Sequence, residues 1–326
     1  MIMSELLKVS NLKTYFFTNY GIVKAVDGVS FNVKSGETFG IVGESGCGKT
    51  ITALSIMRLI SEPPGRIVEG EIILEGEDLL KRSLKDMRQI RGKKISMILQ
   101  DPMTSLNPVF TVGNQLAEAI KIHHGLKGSM LWGRAKELLE LVQIPSPEVR
   151  LKNWPHQLSG GMRQRVVGAI AVSCEPKLLI ADEPTTALDA TIQVQYLRLL
   201  RELQEKTQVG LIIITHDFGI IARMCQRAAV MYAGKIVETG TVKELFDNPS
   251  HPYTAALMRS LPKLEEKVER LASIPGQPPP LHAVIQGCRF AERCDFANNK
   301  CLSEYPPEIE ISNGHYVSCW KIIHET

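Results

Sequence analysis

Eight consecutive residues, Gly43-Glu44-Ser45-Gly46-Cys47-Gly48-Lys49-Thr50, form a glycine-rich turn closed by a lysine and a threonine. Residue types in that spacing suit one chemistry, the cradling of a phosphate chain. Backbone N–H groups of Gly43, Ser45, Gly46, Cys47 and Gly48 point inward, and the helix start that follows adds partial positive charge. Lys49 reaches the β- and γ-phosphates, and the Thr50 hydroxyl ligates Mg²⁺. Glycine is needed where a side chain would hold the backbone away from the anion. A second pair, Asp182-Glu183, closes the apolar run Lys177-Leu178-Leu179-Ile180-Ala181. At a strand end Asp182 can hold Mg²⁺, directly or through water, and Glu183 is placed to take a proton from an attacking water. A third group is four cysteines, Cys288, Cys294, Cys301 and Cys319, separated by five, six and seventeen residues. Reduced thiols in such a cluster can share a metal.

These groups need elements to hold them. Strand-forming runs at residues 6–9, 29–33 and 38–42 open the chain, and the third feeds directly into the glycine-rich loop. A helix over 50–60 leaves the loop and ends before Pro63-Pro64-Gly65. Further strands are expected at 69–74 and 94–99, and helical periodicity over 112–144 marks a helical insert. The apolar runs 177–181 and 211–215 suit a parallel sheet buried on both faces. Between them Ile192, Tyr196, Leu199, Leu200 and Leu203 recur at helical spacing over 191–206, so strand, helix, strand implies a right-handed crossover. Residues 227–237 read as a hairpin turning at Ala233-Gly234-Lys235. Past about residue 245 a short helix over 253–259 precedes a charged run at 263–270. The Pro-rich segment Ile274-Pro275-Gly276-Gln277-Pro278-Pro279-Pro280 then forms a stiff connector.

At 326 residues the chain exceeds one typical domain, so a main domain and an appended one are expected. A net charge of +3 with 22% charged residues excludes a nucleic-acid binder built on a strong basic field. No apolar run reaches the roughly 18 residues that a membrane span needs. The start, Met1-Ile2-Met3-Ser4-Glu5, lacks the stretches of a secretory signal, which points to the cytosol, where thiols stay reduced. Cys47 then occupies a permissive position of the loop, and Cys174 and Cys225 sit in apolar helical stretches as core residues.

The order of the remaining motifs carries a family resemblance. Leu158-Ser159-Gly160-Gly161-Met162-Arg163-Gln164-Arg165 resembles the signature sequence of ATP-binding-cassette ATPases. Gln100-Asp101-Pro102 resembles their Q-loop, Ala187-Leu188-Asp189 their D-loop, and His216 in Ile214-Thr215-His216-Asp217 their switch histidine. The resemblance covers residues 4 to about 245. It implies an α/β P-loop NTPase with a RecA-like core, an antiparallel β subdomain and a helical insert at about 102–165. Together these make an ATP-binding domain over 1–245, followed by a small C-terminal metal-binding extension over 246–326. The resemblance also implies that Lys49, Thr50, Gln100, Asp182, Glu183 and His216 serve one nucleotide. Glu183, His216 and Gln100 are then catalytic, and Thr50, Gln100 and Asp182 surround Mg²⁺. Ser159 and the N–H groups of Gly160 and Gly161 face the ATP of a second cassette, placed head to tail, and Asp189 joins the nucleotide-binding set. An aromatic of the first strands stacks on adenine. Tyr15, Phe16 and Tyr20 qualify by position, and Phe16, then Tyr15, follow the first strand most closely.

Within the family, three segments resemble the branch of oligopeptide, dipeptide and nickel importers. They are His251-Pro252-Tyr253-Thr254-Ala255-Ala256-Leu257, Asp101-Pro102-Met103-Thr104-Ser105-Leu106-Asn107-Pro108 and Pro275-Gly276-Gln277-Pro278-Pro279. That implies an ATP-hydrolysing subunit at the cytoplasmic face of the membrane, powering uptake of di- and oligopeptides. Its partners would be a second, related ATPase subunit, two membrane permease subunits and, indirectly, an extracytoplasmic substrate-binding protein, with no nucleic acid. Nickel or oligosaccharide as cargo, or a soluble cassette ATPase without a transporter, are the alternatives. The cysteine spacing lacks the CxxC knuckles usual for structural zinc. It resembles the tail of some dipeptide-importer ATPases that carries an iron–sulfur cluster, so a [4Fe–4S] cluster is expected, with Zn²⁺ as the alternative.

Overall fold

Strands fully buried along their length and strands buried on alternate positions both occur here. A computed structural model describes residues 4–100, 105–186, 189–261, 273–283 and 285–325. In chain order the strands are β1 (Glu5–Thr18), β2 (Gly21–Lys34), β3 (Thr38–Val42), β4 (Gly65–Leu74), β5 (Glu77–Asp78), β6 (Ile95–Ile98), β7 (Leu178–Asp182), β8 (Gly210–Thr215), β9 (Arg227–Tyr232), β10 (Lys235–Thr241), β11 (Ile309–Ser312) and β12 (His315–Val317). The chain forms two compact units. One takes residues up to Leu6 with Val33–Thr38 and Asp78–Ile214, and the other takes Leu7–Asn32, Phe39–Glu77 and the chain from Thr215 onward.

In the first unit β8, β7 and β6 lie side by side in that order, all parallel, with Ile95 opposite Leu178 and Leu178 opposite Gly210. Every residue of β7 and β8 is buried, as parallel strands covered on both faces must be. The crossover between them is the helix Ala190–Thr207, which buries Tyr196, Leu199, Leu200 and Leu203 as their spacing predicts. The helical insert resolves into two packed helices, Val112–His124 and Gly128–Leu141. Thr111 caps the first through the Asn114 N–H, and Gly125 ends it in the left-handed region at φ 67°.

In the second unit β2, β1 and β4 are neighbours, with β1 and β4 antiparallel. A second group runs β11-β12-β10-β9-β3, in which only the β3–β9 pair is parallel. β1 and β2 are each 14 residues long, well beyond the runs at 6–9 and 29–33. In β1 the burial continues through Leu12 and Thr14, which extends pairing past the apolar stretch. The helix after the glycine-rich loop is Lys49–Ile56 and stops short of residue 60. Arg58 turns left-handed at φ 50°, the Leu59 N–H bonds the Leu54 carbonyl and the Arg58 N–H that of Ser55, which is a Schellman ending. The β9–β10 hairpin turns at Ala233 (φ 44°) and Gly234 (φ 85°), two positive dihedrals that match strand twist. The charged run at 263–270 lies outside the described residues.

The tail contributes strands that its cysteines do not announce. β12 pairs antiparallel with β10, setting Glu238 opposite Val317. At this seam the buried Glu238 carboxylate accepts from the Ser250 N–H at 2.8 Å, the His251 N–H at 2.9 Å and His315 Nε2 at 2.8 Å. His251 caps the helix Pro252–Ser260, its Nδ1 accepting from the Tyr253 N–H at 3.0 Å. Burial pushes His251 down to about 4, against the raising pull of Glu238. The unfolded chain, with an ordinary histidine, therefore takes up a proton that the folded chain refuses. Stability is full above about pH 6.5 and falls toward pH 4, by on the order of 3 kcal/mol for this group. Urea midpoints at pH 7 and pH 4.5 should show that fall. His251→Asn, which keeps an acceptor for the cap but cannot be protonated, should flatten it.

Candidate functional site

The glycine-rich loop follows β3 without a break, and its backbone runs where no Cβ fits. A Cβ on Gly43 would lie 2.1 Å from the Met231 carbonyl oxygen, and one on Gly48 2.2 Å from that of Ala25. Gly46 (φ 78°) and Gly48 (φ 107°) are left-handed, and Gly48 is the N-cap of Lys49–Ile56. Ser45 and Gly46 are exposed, whereas Lys49 is 4% exposed and folded back on the loop. Its Nζ donates to the Gly43 carbonyl at 2.8 Å and the Glu44 carbonyl at 2.9 Å. The loop is held from outside as well: the Gly234 N–H donates to the Cys47 carbonyl at 2.8 Å, and the Glu44 N–H to the Tyr253 hydroxyl at 3.1 Å. These two supports come from far along the chain and have no sequence signal. Cys47 is buried, and that burial pushes its thiol pKa up.

In the first unit Asp182 ends β7 at 1% exposure, and Glu183 turns the backbone left-handed at φ 44°. A glutamate in that region is strained, a common property of active-site residues. The Glu183 N–H donates to the Ile214 carbonyl at 2.8 Å. Its Oε2 accepts from Gln100 Nε2 at 3.2 Å and from Thr186 Oγ1 at 2.8 Å. The fold thus brings Gln100 to Glu183, and it adds Thr186, which motif spacing does not single out. Ser159 is the N-cap of the helix Gly160–Val172 and accepts from the Met162 N–H at 3.3 Å. Around Gly160 there is open space, and Gly161 faces Ile192. Asp189 caps Ala190–Thr207, its carboxylate accepting from the Thr191 and Ile192 N–H groups. In the second unit His216 is exposed just past β8, and Asp217 caps the helix that follows. Asp101 to Thr104 of the Q-loop, and Ala187 and Leu188 of the D-loop, lie outside the described residues.

Comparison with known proteins decides the family. Residues 26–186 match the ABC transporter family, and residues 237–301 match the C-terminal region of oligopeptide/dipeptide transporters. The chain is 51% identical over 317 residues to a probable peptide ABC transporter ATP-binding protein of Sinorhizobium fredii, covering 97% of this chain and 95% of that one. It is 48% identical to the dipeptide transport ATP-binding protein DppD of Escherichia coli, covering 96% of each. The chain belongs to the ATP-binding subunits of ABC transporters, in the oligopeptide/dipeptide branch. Among solved structures, the dimeric ATP-binding cassette MJ0796 in a post-hydrolysis state with ADP and Pi aligns at a TM-score of 0.65. It is 26% identical, covering 73% of this chain and 99% of that one. The architecture is that of an ABC ATPase cassette, and the chain is an ATPase subunit.

Of the aromatics expected near adenine, Tyr15 donates through its hydroxyl to Asp27 at 2.6 Å, and the Lys24 ammonium stands 5.7 Å from its ring centre. Phe16 packs beside Gly65, where a Cβ would come within 2.8 Å of its ring, and Tyr20 is 95% exposed. In the tail Cys288, Cys294, Cys301 and Cys319 line one pocket walled by Phe290, Phe296 and Trp320. All four are free thiols. Burial pushes Cys288 up to about 12, with added repulsion from the other three, and raises Cys294 and Cys319. Among the described residues, no group of three or more His, Cys, Asp or Glu side chains is spaced to hold a metal ion. Cys174 is buried as expected, while Cys225 is only partly so, at the end of the helix Phe218–Met224.

The loop geometry generates a direct expectation. Gly48→Ala forces a Cβ against the Ala25 carbonyl at a left-handed position, straining the loop by on the order of 1–3 kcal/mol. Titration with an ATP analogue should show the loss as weaker binding.

Proposed function

We propose that this chain hydrolyses ATP to power the uptake of di- and oligopeptides through a membrane importer. The observation that carries the reading is similarity to peptide-transport ATP-binding proteins along nearly the whole chain, including the C-terminal region. Nickel or oligosaccharide cargo would need a different set of membrane and binding subunits. Lys49 leaves the Gly43 and Glu44 carbonyls for the β- and γ-phosphates when ATP enters, and the loop N–H groups take the remaining oxygens. By the family resemblance Thr50, Asp182 and Gln100 would each serve as ligands to Mg²⁺, which when bound would neutralise charge on the phosphates. Glu183, fixed by Gln100 and Thr186, accepts the proton of the attacking water. His216 contacts the γ-phosphate and responds to its loss. Ser159, Gly160 and Gly161 present a helix start to the nucleotide of a partner cassette, and Asp189 stiffens the neighbouring turn. Phe16 or Tyr15 stacks on adenine.

The partner cassette is a related but distinct chain, and the pair works head to tail against two permease subunits supplied by a substrate-binding protein outside. No helix among the described residues is long and apolar enough to cross a membrane. The helical insert exposes Val109, Phe110, Trp132, Val149 and Trp154, an apolar set suited to receive a permease segment at the cytoplasmic face. Glu183→Gln should slow ATP turnover by about 10²–10⁴-fold, trap ATP in a stable cassette dimer on size exclusion, and fail to restore labelled dipeptide uptake to cells lacking the chain. Unchanged turnover would remove Glu183 as the base, and restored uptake would remove the transport reading.

We further propose a [4Fe–4S] cluster held by Cys288, Cys294, Cys301 and Cys319, with Zn²⁺ as the alternative. Support comes from the resemblance of the cysteine spacing and from all four thiols lining one pocket. A cluster there would supply a cross-link to a short, loop-rich segment. Anaerobic purification followed by iron, sulfide and zinc assays should give about four irons and four sulfides per chain. One zinc would make the tail a zinc staple, and neither metal would leave a thiol core.

A further inference from the structure

Glu44 sits inside the phosphate loop, yet its carboxylate is bound by the tail. Arg293 Nη1 donates to Glu44 Oε2 at 2.8 Å and Nη2 to Oε1 at 3.0 Å, a parallel fork. The guanidinium is fixed on its other edges: Nη1 reaches the Tyr232 hydroxyl at 3.2 Å, and Nε donates to the Pro275 carbonyl at 2.9 Å. The Arg293 side chain is only 5% exposed. The guanidinium lies 5.7 Å from the Tyr232 ring centre and 5.9 Å from that of Phe290, and these two rings pack with Tyr253 at 4.6–5.3 Å between centres. The backbone of the same Glu44 accepts from Lys49, the side chain that must let go when phosphates arrive. The residue after Arg293 is Cys294, which lines the pocket of four cysteines.

We propose that Arg293 is a positioning residue for the phosphate loop, through which the state of the cysteine pocket sets nucleotide affinity. The proposal rests on the reading of Gly43–Thr50 as the ATP cradle, and it holds for either metal in the pocket. A planar fork tolerates little displacement. A change at Cys294, one peptide unit away, therefore shifts the grip on Glu44 and with it the carbonyls that Lys49 leaves. Linkage makes the effect mutual: ATP in the loop alters the reactivity of the tail thiols.

The test uses the full chain, with Arg293→Gln, Glu44→Gln and their combination titrated with a fluorescent ATP analogue and Mg²⁺. Each single change should weaken binding about tenfold, and the double change no further, because both remove one contact. Cys294→Ser should weaken binding in the native background and have no added effect beside Arg293→Gln. Maleimide labelling of the tail cysteines in the metal-stripped chain should respond to the analogue in the native protein and ignore it in Arg293→Gln. A buttress that merely holds the tail would lower melting temperature while leaving both couplings absent. Native affinity in Arg293→Gln, or additive losses, overturns the proposal. If Arg293→Gln does not fold, Glu44→Gln carries the same readouts, and native labelling behaviour there overturns it. A native chain that binds no analogue overturns the cradle reading instead.

Discussion

The glycine-rich loop can exist only where a bare backbone presses against other backbone. Gly43 against the Met231 carbonyl and Gly48 against that of Ala25 leave no room for a side chain. The elements contributing those carbonyls are therefore fixed in place by the same requirement. β9 must lie beside β3 to bring Met231 under Gly43, and β2 must pass close enough for Ala25 to face Gly48. The hairpin that follows β9 then offers the Gly234 N–H to Cys47. The shape of the loop thus depends on residues outside it.

The carboxylate chemistry of the first unit obeys a similar economy of placement. A strand buried along its whole length cannot carry an acid in its interior without large desolvation. Asp182 and Glu183 accordingly come at the strand's end, and the left-handed turn at Glu183 swings its side chain to Gln100 and Thr186. Ser159 and Asp189 both begin helices, and each satisfies N–H groups that would otherwise lack partners. A polar side chain at a helix start thus serves the stability of the free chain.

The tail shows how a segment with few apolar residues is secured. Its hairpin extends the sheet at β10, and its buried Glu238 is satisfied by two N–H groups and a histidine rather than left as a lone charge. Phe290 joins the core that also holds Val42, Tyr232 and Tyr253, with Cys288 and Cys294 packed against it. Cysteines of the pocket and the strand leading into the glycine-rich loop thus share one body of packed side chains.

Much of the local backbone around these residues was legible from spacing alone. The glycine pattern, the acidic pair after an apolar run and the order of the signature motifs each describe backbone conformation within one turn, strand or helix. Local chemistry sets such features. The crossover helix and the β9–β10 turn were readable for the same reason. The helix end at Ile56 and the lengths of β1 and β2 were not, because a left-handed Arg58 and pairing partners elsewhere set them. The β11–β12 hairpin had a local signal, Asn313-Gly314 between alternating residues. Its docking on β10 had none. The Arg293 fork on Glu44 joins residues 249 positions apart, and Tyr253 reaches the same residue across 209. The sequence by itself determined the local backbone of the loop, the acidic strand end and the helix starts. Tertiary structure decided what holds them, because contacts between distant segments follow from burial and edge pairing across the whole chain, which local spacing does not encode.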